Sequence, residues 1–167
     1  GDLDARPAVV LLDLWEAERR YGLKLRKPLK SLSLEYTHLA NQLWSISGET
    51  EATAEIETKD FQKNYESLMR FTASGAELPF SDDAGILLPL PQGCTIRQLA
   101  LFDDASGLIH IDSALWSALD PMNQVALVAH EILYEMYRKA GEPTSRNIRP
   151  VVAELFSTTP PPPKNEG

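Results

Sequence analysis

The run from Asp120 to Gly141 limits the fold more than any other part of the chain. Asp120 stands where a helix cap should, and Pro121 follows at the first helical position, where its missing N–H costs nothing. Gly141 and Pro143 then stop the run. Within it Met122, Val125, Ala129, Ile132 and Met136 recur at three- and four-residue intervals, and Val128 and Leu133 widen the stripe. Beside that stripe lie His130, Tyr134 and Tyr137, while Glu131, Glu135, Arg138 and Lys139 complete the polar side, with Glu135 and Lys139 a favourable pair one turn apart. A long helix with so broad an apolar face has to lie on a second layer.

The upstream half supplies helices for that layer. Pro7 to Tyr21 reads as a helix that buries Val10, Leu11, Leu14 and Trp15 and stops at Gly22 in the left-handed conformation. Arg19 and Arg20 suit its last turn, and Asp13 and Glu16 are expected to keep the opposite face in water. A second helix is predicted from Ser31 to Ile46, burying Leu32, Tyr36, Leu39 and Leu43, with Gly48 ending it. A third is predicted from Asp60 to Ala73, where Phe61, Tyr65, Leu68 and Met69 share a face. The acidic stretch from Glu49 to Glu57 is a loop or an early extension of that helix.

The punctuation changes from Gly75 to Gly93, with Pro79, Pro89, Pro91 and the turn formers Ser81 to Gly85. Short strands are predicted at Ile86 to Leu88, Thr95 to Phe102 and Leu108 to Asp112, the last two joined by a hairpin loop from Asp103 to Gly107. After the long helix, Ser145 to Phe156 reads as a shorter one, and Pro150 either kinks it or moves its start to about Arg149. The fold class is therefore α+β. One globular domain is expected over residues 1–157, a helical layer at 1–74 and a small antiparallel sheet with the His130 helix across it at 75–157, followed by a disordered Pro-rich tail at 158–167 that holds Pro160 to Pro163.

Charge narrows the partners. Sixteen basic against twenty-four acidic residues give a net charge of −8, which argues against wrapping a nucleic-acid backbone or docking on an anionic membrane. No apolar run nears the ~20 residues of a membrane span, so no membrane insertion is expected. Cys94 is the one cysteine of the sequence, so no disulfide forms within it and no cysteine cluster can hold zinc; it follows Gly93 at a strand entrance and is expected to be buried. Trp15, Trp44 and Trp116 are expected as core anchors, and His38 has only Glu35 near it as a metal-type residue, so it has no case as a ligand. Nucleophile-elbow, P-loop, dinucleotide and calcium-loop motifs are absent.

Chemistry concentrates on His130 and Glu131, adjacent in the middle of the long helix. A zinc helix of the H-E-x-x-H kind sets two histidines one turn apart so that both imidazoles meet one metal, and the glutamate between them activates the bound water. Here Tyr134 occupies the second histidine's place, and a phenol that titrates near ~10 is a poor ligand at neutral pH. The nearest further ligand in sequence is His110, which strand alternation turns, with Asp112, away from the face that Ile109 and Ile111 bury.

The strand-like Leu108 to Asp112 followed by Asn123 to Glu131 resembles the edge strand and active-site helix of zincin-type metallopeptidases. More narrowly, Leu90 to Ser157 is similar to a group of uncharacterised exported proteins of predatory and related soil bacteria, through Gly93-Cys94, Leu115-Trp116, His130-Glu131 with Tyr134, Arg138, Ser145-Arg146 and Arg149. That resemblance implies export to the periplasm or beyond and a zincin-like helix without its second histidine. Two functions follow. The first is a noncatalytic binding protein without a cofactor, for a protein, peptide or envelope component taken up along the edge of the His110 strand, with His110, Asp112, Tyr134, Arg138, Arg146 and Arg149 as contacts. The second is a metal-dependent hydrolase, with zinc the metal, in which His130 together with His110 or Glu135, and Tyr134 as a further candidate ligand, forms the site and Glu131 is the general base. A plainer expectation is that His130 bonds to Glu131, Tyr134 or a loop carbonyl, and that Glu131 pairs with Arg138, Arg146 or Arg149 to clamp the last two helices.

Overall fold

The structure, a computed structural model, describes residues 9–47, 62–73, 78, 92–139, 141 and 147–158, with the backbone alone at 44–47 and 136–139. In chain order the elements are α1 (Leu12–Tyr21), α2 (Leu32–Ser47), the helical residues 62–68 (α3), β1 (Met69–Phe71), β2 (Ala100–Asp103), β3 (Leu108–Ile111), α4 (Ser113–Ala118), α5 (Pro121–Lys139) and α6 (Ile148–Leu155). The fold is α+β. Among the described residues no helix is long and apolar enough to cross a membrane.

α5 is built as its sequence demands. Asp120 Oδ1 accepts from the Asn123 backbone N–H and from Asn123 Nδ2, both at 2.8 Å, which satisfies the open donors of the first turn. Asn123 Oδ1 in turn accepts from Leu11 N at 2.9 Å and fixes the chain that enters α1 against the start of α5. Met122, Val125, Val128, Ala129, Ile132 and Leu133 are all buried. They share one core with Leu14 of α1, Tyr36 and Leu39 of α2, Ile109 and Ile111 of β3, and Val152 of α6. α6 begins at Ile148, so Pro150 falls in its first turn and costs no hydrogen bond.

The sheet departs from expectation. Among the described residues it has three strands in the order β1-β3-β2, with β2 antiparallel and β1 parallel to β3, so it is mixed. The hairpin between β2 and β3 forms on its predicted loop, where Asp103 accepts from Ala105 N at 3.0 Å and from Ser106 Oγ at 2.8 Å. The parallel neighbour comes from the end of the third predicted helix. That helix stops at residue 68, and Met69 to Phe71 pair instead with Ile109 to Ile111, after which Thr72 N donates to Ile111 O at 2.9 Å. A strand pairing that buries Met69 outcompetes the local helical pattern. Residues 95–99 are not strand, β2 starting only at Ala100, and 86–88 lie outside the described residues.

α1 also corrects the reading of its polar face. Gly22, at φ 64°, ends it in the left-handed conformation as expected. Yet Asp13 and Glu16 are buried rather than wet, because α6 and α5 pack on the face that carries them, and Val10, expected inside, is exposed. Thr158, placed at the start of the tail, instead donates its N–H to Lys24 O at 2.8 Å. Residues 159–167 lie outside the described residues.

Candidate functional site

Three helices bring charged side chains to one buried junction. Asp13 and Glu16 lie three residues apart on α1, so they share a face. α5 presents His130 to the first and α6 presents Arg149 to the second. His130 Nδ1 stands 2.6 Å from Asp13 Oδ2, the separation of a charge-assisted hydrogen bond. Arg149 Nη1 lies 3.0 Å from Glu16 Oε1, close enough for ion pairing but not aligned as a hydrogen bond. Arg20, one turn along α1, donates to the other Glu16 oxygen at 3.3 Å. Relative exposure is 2% for Asp13, 0% for Glu16 and 2% for Arg149, so water compensates none of these charges. At the rim, burial and then Glu16 push the Tyr21 phenol up, with Arg20 and Arg149 pulling the other way.

Chemically, an imidazole held at Nδ1 by a carboxylate is oriented and made more basic, as in a metal ligand's outer shell or a general base. Among the described residues no three His, Cys, Asp or Glu side chains are grouped to hold a metal ion. His110 sits on β3 in register with Arg70 and Leu101, and Glu135 is half-buried on α5, so the expected set of His130, His110 and Glu135 is not brought together.

The remaining expected residues separate into distinct roles. Asp112 is buried and caps α4, accepting from Leu115 N at 3.0 Å, with Arg97 Nη2 at 3.6 Å. Glu131 is buried on α5, and Tyr134 packs half-buried against the core. Arg149 faces Glu16 across to α1, so the clamp it forms includes the first helix as well as the last. The Arg138 side chain and Arg146 lie outside the described residues. Cys94, expected inside, is exposed on a segment that is not strand. The edge expected beside His110 does not exist, because β3 is the central strand and both of its sides are paired.

Asp13 and Glu16 were missed as site residues, since a helix face of acidic residues reads as solvated. A usable signal lay elsewhere. Arg149 stands inside the apolar run Ile148, Val151, Val152 and Leu155, and a cation on such a face demands a buried counter-charge. Comparisons with protein-family models, with curated proteins and with solved structures find no match.

Proposed function

We propose that the protein is a noncatalytic binding protein in which the zincin-like helix serves architecture. The observation that carries this reading is the 2.6 Å contact between His130 Nδ1 and Asp13. The histidine that should begin a metal site instead ties α5 to α1, and the neighbouring Glu16 and Arg149 tie α1 to α6. Export to the periplasm or the exterior rests on the resemblance of residues 90–157 to exported proteins of soil bacteria. The partner is an extended peptide or protein segment, which adds to an outer strand of the sheet. With β3 enclosed, the edge that fits is β1, where Phe71 is 50% exposed and leans edge-on against Trp116 with ring centres 5.8 Å apart.

Metal analysis of the purified protein, paired with melting curves in the presence and absence of a chelator, tests the proposal. The expected result is less than stoichiometric metal, an unchanged Tm with chelator, and similar loss of stability for His130→Ala and Asp13→Ala. One zinc per chain that is lost with His130→Ala, together with a chelator-sensitive Tm, would sink it. That outcome would favour a second reading, a zinc-dependent hydrolase with Glu131 as general base. The observation behind the second reading is the same carboxylate on Nδ1, which is how outer-shell carboxylates orient metal-binding imidazoles.

A further inference from the structure

A second polar knot, made by residues other than Asp13 and His130, holds the last described residues onto the segment between α1 and α2. Lys24 O accepts from Thr158 N and from Ser157 Oγ, both at 2.8 Å, and Arg26 N donates to Phe156 O at 3.0 Å. Leu25 pairs with Ser157 in an antiparallel bridge, so residues 155–158 form a strap along 24–26. Arg26 is anchored by the buried Glu35, with Nη1 donating to Oε2 at 3.1 Å and Nη2 donating to Oε1. Its guanidinium also lies 5.3 Å from the centre of the Phe156 ring.

His38 reaches the same strap from α2. Its Nε2 is 2.9 Å from Leu155 O and 3.3 Å from Arg26 Nε. One ring nitrogen cannot donate to a carbonyl and accept from a guanidinium at once. The shorter contact, to an oxygen that only accepts, places the proton on Nε2, so the Arg26 Nε–H meets a nitrogen that offers no lone pair. A second proton, on Nδ1, would set an imidazolium beside that guanidinium. The charged groups facing His38 are Arg26 from the strap's partner segment and Glu35 on its own helix, and Glu35 is already engaged by Arg26 and by Leu29 N at 2.8 Å. At the end of α6 it meets the Leu155 carbonyl and, one residue beyond, the Phe156 ring, 5.7 Å between centres.

We propose that His38 is an acid-sensitive latch: neutral, it closes the strap 155–158 onto 24–26, and protonated, it releases the strap while the α5 core stays folded. Burial, foremost, holds the imidazole below the ordinary histidine range; the Leu155 carbonyl opposes this, Arg26 adds to it, and Glu35 opposes it. Leu155 and Phe156 keep their side chains in the core; what opens is the strap's backbone pairing with 24–26, where Ser157 is half-buried and Thr158 exposed, whereas Val125 to Ala129 are buried.

Hydrogen exchange of the full chain at about pH 7.5 and about pH 5, corrected for intrinsic rates, reads the latch directly. Protection of the Arg26 and Thr158 amides should fall roughly tenfold at the lower pH while the Val125 to Ala129 amides hold theirs. His38→Gln keeps an amide donor for Leu155 O but cannot titrate, and its strap should be equally protected at both values. Wild-type strap protection that ignores pH overturns the latch, and so does an equal loss in His38→Gln. Should that variant fail to fold, wild-type NMR decides, because the His38 ring protons and the Thr158 amide must titrate with one midpoint; separate midpoints overturn the proposal.

Discussion

Glu16 is a carboxylate with no access to water, so cations delivered by Arg149 and Arg20 have to offset its desolvation. Truncating Arg149 to Met leaves only the half-exposed Arg20 on one oxygen and should cost about 3 kcal/mol. The measurement is the urea midpoint at unchanged m-value, and the double variant Glu16→Gln with Arg149→Met should recover most of the loss. A single variant as stable as wild type would mean that Arg20 alone neutralises the carboxylate. For Asp13 and His130 a double-mutant cycle should give a coupling of about 1–2 kcal/mol; a value near zero would remove the tie between α1 and α5. At this scale the sequence is half legible. His130 was conspicuous because its neighbour is Glu131, but its true partner is 117 residues away, on a helix whose acidic face carries no local mark of burial.

Elements were readable wherever the local signal is also the deciding one. The cap at Asp120, the stop at Gly22 and the turn from Asp103 to Gly107 all use side-chain or backbone chemistry confined to a few residues, and each forms as the sequence implies. Asp120→Ala should therefore cost about 1 kcal/mol, seen as a lower thermal midpoint. Gly22→Ala should cost a similar ~1 kcal/mol, because at φ 64° the penalty is purely one of backbone, with no neighbour within 4 Å of an added Cβ. A Gly22 variant of unchanged stability would show that the end of α1 relaxes out of that conformation. β1 illustrates the opposite case. Tyr65, Leu68 and Met69 keep a helical rhythm, but Met69 to Phe71 gain backbone partners on β3, and a pairing made with residues 40 positions downstream leaves no trace in local spacing.

For the molecule as a whole, the α+β layering followed from periodicity, while the mixed sheet, the enclosed β3 and the burial of α1's acids depend on contacts between distant segments. Those contacts also decide how stability responds to pH, since they bury titratable groups whose proton affinities then differ from the unfolded chain. His38 is held below its ordinary value, chiefly by burial, so the fold prefers it neutral. Its contribution is complete above about pH 6.5 and is lost as the pH falls toward the depressed folded value. Tyr36, Tyr21 and Tyr65 are all pushed up, in each case first by burial, so the fold prefers them protonated. Their contribution is complete below about pH 10 and is lost as the pH climbs toward the raised folded values. Urea midpoints measured across pH should thus form a plateau between these limits, with Tyr36→Phe flattening the alkaline fall and His38→Gln the acid shoulder. The variants separate burial of these particular side chains from general charge repulsion in a chain of net charge −8, because repulsion would survive both substitutions. An alkaline fall as steep in Tyr36→Phe as in wild type would therefore remove the Tyr36 phenol as its cause and leave it to Tyr21, Tyr65 and accumulated negative charge.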